Sequence, residues 1–275
     1  MSSPRLLIRD LTALGTLAVS PAALSTLPIG NLLTQPRNEV WRSPGVTTQV
    51  ITVVFGSNQT ASMVALARLN ATTGGTVQVQ GYDDAGMTSQ LFNSTALAAF
   101  STASLADVDA FRYLEDSFRG KKNFVYYFTK VTTLRAIKIT ITDAGNPAGY
   151  IEASRLFIGD YFEFTYEAGD SGESGASRSL TVQGRSEGGD LWSDRGPGYE
   201  QQTVDLDNIH EDDVPELLAL SEFLGTHTDF FFDLLPGDTS AFAIYRRGQR
   251  KFTAESALRP RGYMLNAQTL AMESP

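Results

Sequence analysis

The side chains able to do chemistry are few, and their kinds exclude much. The chain has no cysteine and only two histidines, His210 and His227, in 275 residues. Disulfides, thiolate metal sites, iron–sulfur clusters and cysteine nucleophiles are therefore excluded, and a Ser–His–Asp triad has at most two possible bases. His210 stands beside Glu211 and Asp212 ahead of a helical pattern, His227 lies between two threonines, and no Gly-x-Ser-x-Gly elbow occurs. Asp83–Asp84 and Asp107/Asp109 are hard-oxygen donors of the kind calcium takes. Each pair sits among turn residues, where Asp bonds its own backbone, and the two are too far apart to form one loop. Arg119, Lys121 and Lys122 with Phe124, Tyr126, Tyr127 and Phe128 combine cations and rings as single-strand nucleic-acid grooves do. The rings fall at strand spacing, so sheet packing is the better account. The glycines of 184–198 do not make a phosphate loop, because no Gly-Lys-Ser/Thr closes them; the segment reads as a long surface loop, with Trp192 placed to anchor it to a neighbour. With 31 acids, a carboxylate pair at glycosidase separation, ~5–9.5 Å, cannot be read from sequence. No catalytic, cofactor-binding or metal-binding residue is assigned, no cofactor is expected, and the chain reads as non-enzymatic.

The elements that carry these residues are mostly short strands. Gln49–Phe55 is β-branched and stops at Gly56, Met63–Leu69 is a second apolar run, and Thr76–Gln80 alternates strictly. Phe124–Phe128 is aromatic, Arg135–Ile141 puts Ile137, Ile139 and Ile141 on one face, and Ile151–Ile158 closes the set. Turn clusters separate them, notably Asp83–Gly86 and Asp143–Pro147. Ser94–Phe100 is the one helical candidate in this half. Short strands without long intervening helices imply an antiparallel sandwich or jelly roll. Glu167–Arg178 has no large apolar residue and reads as a linker or long loop.

Beyond it the order changes. Ser179–Gly184 and Glu200–Leu206 read as strands. Val214, Leu217, Leu218, Ser221 and Leu224 mark a helix with acids in its first turn and Gly225 at its end. Asp229–Leu235, Ala241–Arg246 and Gly262–Met272 read as further strands, giving a compact α+β unit. Phe230, Phe231 and Phe232 cannot all face one side of a strand, so apolar area must be buried on both. The expected division is 1–166 as a jelly roll, 167–178 as linker or loop, and 179–275 as an α+β domain.

The net charge of -9 is unevenly spread. Residues 166–245 hold 3 basic and 17 acidic side chains, residues 246–275 hold 6 basic and 2 acidic. Most of the second half therefore repels nucleic acid, and the opposed signs suit head-to-tail contacts between subunits. No apolar window reaches the length of a membrane span. Leu11–Ile29 follows Arg5 and Arg9 as a signal peptide would, but Asp10, Gly15, Pro21 and Pro28 favour strand and loop.

Two stretches resemble known families. Pro28–Leu33 followed by Trp41-Arg42-Ser43 and Val50–Phe55 resembles the opening of discoidin-like, galactose-binding-like jelly rolls, in which the Trp and the next strand pack in the core. Leu66–Asn70 and Thr76–Tyr82 fit its next strands. Arg135–Thr142, Asn146-Pro147, Tyr150–Glu152 and Arg155–Gly159 fit its closing ones, over about residues 25–165. This ending is similar to tail proteins of tailed bacteriophages that carry such a domain. The second half is similar to the ring-forming belt domains of phage distal tail proteins, though in reversed domain order.

The resemblance implies a mainly β fold: a galactose-binding-like jelly-roll β-sandwich, then a smaller α+β domain. It implies a structural virion protein of a phage tail tip, of distal-tail or baseplate type, assembled in the host cytoplasm as a homo-oligomeric ring. Other tail proteins would be its partners, and host surface glycans a possible contact. Complementary charge between the acidic and basic segments would set register in a ring of heterologous contacts. The alternative is a soluble carbohydrate-binding, lectin-like module with sugar held in the loops of the jelly roll, for which Tyr82 and Tyr150 are the nearest aromatic candidates.

Overall fold

The computed structural model describes residues 3–99, 123–166, 173–194, 196–238, 246–254, 258–262 and 265–275. Asp107, Asp109, Arg119, Lys121, Lys122 and most of the strand expected at Ala241–Arg246 lie outside the described residues. The chain divides into two compact units, Met1–Glu163 with Phe230–Gln249, and Phe164–Asp229 with Arg250–Pro275. The segment Phe230–Gln249 thus joins the first unit rather than the second, where its sequence neighbours would have put it.

The first unit is built from β1 (Arg5–Asp10), β2 (Gly15–Ser20), β3 (Trp41–Arg42), β4 (Gln49–Ala67), β5 (Thr76–Tyr82), β6 (Gln90–Ala98), β7 (Phe124–Thr142), β8 (Glu152–Ala153), β9 (Arg155–Glu163) and β14 (Phe230–Asp233). Its antiparallel strands run in the order β14-β1-β9-β4-β7-β5-β6, with β2 also on β4. The expected helix at Ser94–Phe100 is instead strand as far as Ala98, because β6 pairs with β5 from Thr76↔Ala98 to Tyr82↔Gln90. The two longest strands serve both halves of the unit. Gln49–Val54 of β4 pairs with 136–141 of β7 and with β2. Past a register shift between Val54 and Gln59, Met63–Leu66 pairs with Phe124–Tyr127 on one side and with β9 on the other. Such a shift bends a strand, and here it separates the stretch of β4 that pairs with β2 from the stretch that pairs with β9.

Alternation decides what lies between the layers. Ile51, Val53 and Phe55, Val77 and Val79, and Ile137, Ile139 and Ile141 enter one buried cluster with Val64, Leu66, Leu156 and Ile158. Trp41 is fully buried in that cluster, as the family resemblance implies. The intervening residues Met63, Ala65, Ala67 and Phe157 form a second cluster on the reverse face with Leu7 and Phe231. The three phenylalanines of β14 are all buried, and Phe231 packs 5.9 Å from the ring of Phe157. Burial on both faces of β14 follows directly from the run of three. The aromatic strand is likewise internal: Phe124 and Phe128 enter the main core and Tyr127 packs on the reverse cluster. These rings pack in or against the two core clusters, as their strand spacing implies.

The second unit contains β10 (Glu173–Ser179), β11 (Val182–Arg185), β12 (Leu191–Asp194), β13 (Gly198–His210), α1 (Val214–Leu224), β16 (Arg259–Gly262) and β17 (Leu265–Glu273), with the end of β15 (Arg247–Phe252). β13 pairs with β10 and β17, and β16 and residues 251–252 pair with β17. Residues 173–178, which composition reads as linker, are strand. Every residue from Glu173 to Ser179 has a register partner in β13, so main-chain bonding holds a segment with no large apolar side chain to bury. The strand expected at Ser179–Gly184 supplies the start of β11, and the stretch 184–198, which reads as loop, supplies its end and β12, the two pairing as a hairpin.

Glu211, Asp212 and Asp213, expected in the first turn of α1, form a separate 3-10 turn ahead of it, capped by the His210 ring, which accepts a bond from the Asp212 N–H. In α1 itself Pro215 and Glu216 occupy the first turn, and Gly225 at φ 52° ends it as the sequence implies, donating to the Ser221 carbonyl. Asp213 is held by the Thr165 N–H and hydroxyl at 3.0 and 2.9 Å. The buried stripe is Leu217, Leu220 and Leu224; Leu218, expected on it, is 55% exposed. Among the described residues no helix is long and apolar enough to cross a membrane.

Candidate functional site

The register of the first unit separates its two ends. Thr76 pairs with Thr142 at one end of β5 and Tyr82 with Ala136 at the other. The loops 43–48, 70–75 and 143–151 therefore lie at the first end, and the loop 83–89 at the second. Tyr150 and Tyr82, the two aromatic candidates, belong to opposite ends and cannot share a ligand.

Tyr82 is 6% exposed and offers no ring face. Asp84 beside it accepts from the Ser89 N–H at 2.8 Å and from the N–H and hydroxyl of Thr88 at 2.9 and 3.0 Å. Those bonds, the Ser89 one foremost, hold its carboxyl below the usual carboxylate range. Its oxygens close their own turn, as Asp in a turn is expected to do. Among the described residues no group of three or more His, Asp or Glu is arranged to hold a metal ion.

The end that carries Tyr150 is different. The short pair β3–β8 sets Arg42 opposite Glu152. The guanidinium donates to Glu152 Oε2 through Nε at 2.8 Å and Nη2 at 2.6 Å, and lies 3.9 Å from the centre of the Tyr150 ring. The two charged side chains are 32% and 22% exposed, so the assembly reaches solvent. A network beneath fixes the loops that bear it. Asn70 donates to the Tyr150 carbonyl at 3.0 Å and accepts from the Glu152 N–H at 2.8 Å. Asn146 donates to the carbonyl of Asn70 and to Asp143, both at 3.1 Å. Asp143 also accepts from the N–H and hydroxyl of Thr72 at 2.7 and 2.6 Å. Ser43 and Ile151 exchange bonds at 2.8 and 2.9 Å. Ser43, Asp143 and Asn146 are buried, and a satisfied buried network of this kind holds a loop in one conformation.

Chemically, this end presents a ring with a cation on it, a donor group and a carboxylate within one patch. Such a set matches a neutral ligand rich in hydroxyls, which both donate and accept, and whose C–H face packs on an aromatic. Sequence reading singled out Tyr150 alone; Arg42 and Glu152 are 110 positions apart, and only the β3–β8 pairing joins them.

Other polar clusters of the first unit are internal braces. Arg155 donates to Asp10 Oδ2 at 2.8 Å, and Asp10 also accepts from the N–H and hydroxyl of Thr12. Burial raises the Asp10 carboxyl against the pull of Arg155. Tyr127 donates to Asp233 at 3.0 Å, and the Arg5 guanidinium lies 4.4 Å from the Tyr127 ring centre and 4.6 Å from that of Tyr161. Burial raises the Asp233 carboxyl, opposed by the Arg247 charge and the Tyr127 bond, and lifts Tyr127 well above its ordinary value. In the second unit, His210 serves as a helix cap and His227 lies beside Gly225.

No protein-family model matches the chain, and a search of curated proteins returns no match. Among solved structures, the chain is similar to a family 32 carbohydrate-binding module of C. perfringens NanJ solved with galactose, at 11% identity and a TM-score of 0.40, over 57% of this chain and 99% of that one. It is similar to a chitosan-binding module from a Paenibacillus chitosanase/glucanase, at 17% identity and a TM-score of 0.39, over 55% and 98%. It is also similar to a Ruminococcus gnavus GH29 fucosidase solved with fucose, at 15% identity and a TM-score of 0.39, over 56% of this chain but only 27% of the fucosidase. Likeness at this level assigns neither ligand nor activity.

Proposed function

We propose that the first unit is a carbohydrate-binding module that holds a neutral sugar at its loop end, with Tyr150 as the packing surface, Arg42 as donor and Glu152 as acceptor. The observation that carries this reading is the partly exposed Arg42–Glu152 pair, with the Arg42 guanidinium over the Tyr150 ring, above a hydrogen-bonded loop network. The compared modules bind ligands of the same class, at a likeness too low to add weight. The unit holds its ligand without turning it over. Among the described residues of this end, Glu152 is engaged by Arg42, and Asp143 by Thr72 and Asn146, so neither is an uncommitted carboxyl.

Retention of the full chain on immobilised galactose-, glucosamine- and mannose-containing polysaccharides tests the reading. Retention should fall at least tenfold in Arg42→Gln and Tyr150→Ala while the melting temperature stays within a few degrees. Absence of retention on every matrix, or variants that bind as the parent does, would overturn it.

A second reading is the structural tail-tip role, in a virion and with other tail proteins as partners, that the sequence resemblance implies. One observation favours an assembly role: among the described residues, the second unit carries several large apolar side chains that are exposed.

A further inference from the structure

That surface lies in two places. The strands β10 and β13 pair up to Ser179↔Gly198, and beyond a short break β11 and β12 continue outward as a hairpin closed at 186–190. Every side chain of β12 is exposed, as are the side chains of β11 apart from the position of Gly184. Leu180, Val182, Leu191 and Trp192 are 61%, 59%, 61% and 51% exposed. Trp192 is laid over its cross-strand partner Gly184, where an added β-carbon would come within 2.6 Å of the indole Cζ2. A two-stranded hairpin is marginal in water without a surface to pack on. The second place is α1. Pro215, Ala219 and Phe223 form an i, i+4, i+8 ridge with Leu218 beside it, and all four are exposed, Leu218 at 55% and Phe223 at 59%.

We propose that the hairpin of one copy seats on the α1 ridge of a second copy, a head-to-tail contact. Cross-strand partners share a face, so Val182 and Trp192 point to one side of the hairpin and Leu191 to the other. With Leu180, Leu218 and Phe223, the two on the seating face expose on the order of 500 Å² of apolar surface, at ~150–250 Å² for a whole aromatic and less for Leu or Val. A specific interface should clear ~1,000 Å², about 57% of it apolar, or roughly 570 Å². With Pro215 and Ala219 added, this one contact reaches that figure. Hairpin against hairpin would leave the α1 ridge bare, whereas hairpin against ridge covers both. The inference concerns the second unit and stands whether or not the first binds sugar; it supplies a contact for the assembly reading.

Sedimentation of the full chain across a hundredfold concentration range should show association. The hairpin variant Val182→Ser/Trp192→Ser and the ridge variant Leu218→Ser/Phe223→Ser should each associate at least tenfold more weakly. Mixed in equal amounts, they should form a complex that stops at one to one, since each retains one intact half of the contact. A parent that stays monomeric, a ridge variant that associates as the parent does, or an inert mixture would overturn the proposal. Because the chain has no cysteine, Val182→Cys and Ala219→Cys copies give a second measurement that does not remove the contact. Mixed and oxidised, they should cross-link to each other in preference to themselves, and failure to do so would count equally against it.

Discussion

Tyr127→Phe removes a single hydroxyl, and the structure says what that should cost and how the cost should vary with pH. The hydroxyl donates to Oδ2 of Asp233 at 3.0 Å. Asp233 is fully buried, its Oδ1 has no hydrogen-bond partner, and the nearest cation, Arg247, stands 3.7 Å away. A bond to a buried charge contributes about 1.5–3 kcal/mol, and a neutral one about 0.5–1.5. Loss of the hydroxyl should therefore destabilise by about 2 kcal/mol at pH 7. The sign of the pH effect follows from burial. Asp233 has its folded pKa raised above the unfolded value, so its ionisation opposes folding. That penalty is absent below the unfolded pKa and grows as pH rises to the folded one. Removing Tyr127 removes an interaction that lowers the folded pKa, so the penalty deepens. The loss from Tyr127→Phe should then shrink to about 1 kcal/mol in acid, where the carboxyl is neutral. Urea unfolding at pH 7 and pH 4.5, followed by tryptophan fluorescence in a Trp192→Phe background so that buried Trp41 reports the first unit alone, measures both values. In Asp233→Asn the added cost of Tyr127→Phe should be small and independent of pH. Equal losses at both pH values in the parent background, or a full loss in the Asn background, would refute the assignment of the bond to the ionised carboxylate.

Arg155→Met should destabilise the first unit by about 3–5 kcal/mol at pH 7, because it leaves the buried Asp10 carboxylate without its cation; the double variant with Asp10→Asn should recover much of that in thermal unfolding. Trp41→Ala empties a fully buried site in the sandwich core and should cost about 3–5 kcal/mol, read by the same melts.

What could be read from the residues depended on whether a side chain or a backbone did the deciding. Ile137, Ile139 and Ile141 announce their strand because alternate burial requires apolar residues at period two. The three phenylalanines of β14 announce burial on both faces, but not the surface they pack on, so the segment's membership of the first unit had no local signal. β6 and β10 were misread for a common reason. Their pairing with β5 and β13 is made by main-chain groups; β10 holds Ser, Gly and Ala with no large apolar residue, and in β6 only Phe92 and Leu97 pack on the core, at a spacing of five that breaks strict alternation. The loop-end site was half legible. Tyr150 stands out as an aromatic in a turn, whereas Arg42 and Glu152 gain meaning only from a two-residue strand pair.

The charge asymmetry of the second half takes on a different meaning once the pairs are placed. The basic excess of residues 246–275 invites the idea of a cationic patch for the acidic segment of a neighbour. Yet Arg246 pairs with Asp238 at 3.1 Å, Arg247 faces Asp233, and Arg250 lies buried 3.5 Å from Glu200. Burial even lowers the pKa of Arg250, with Glu200 opposing the shift. These cations answer acids of their own chain, and buried pairs give up little to an outside partner. Opposite signs in one sequence are therefore weak grounds for contact between copies when folding has already joined them. Uncovered apolar area is stronger ground, since folding would have buried it had the chain held a place for it. A contact built on Trp192 and Phe223 rather than on arginines should be governed by burial and shape, and hardly weakened by salt.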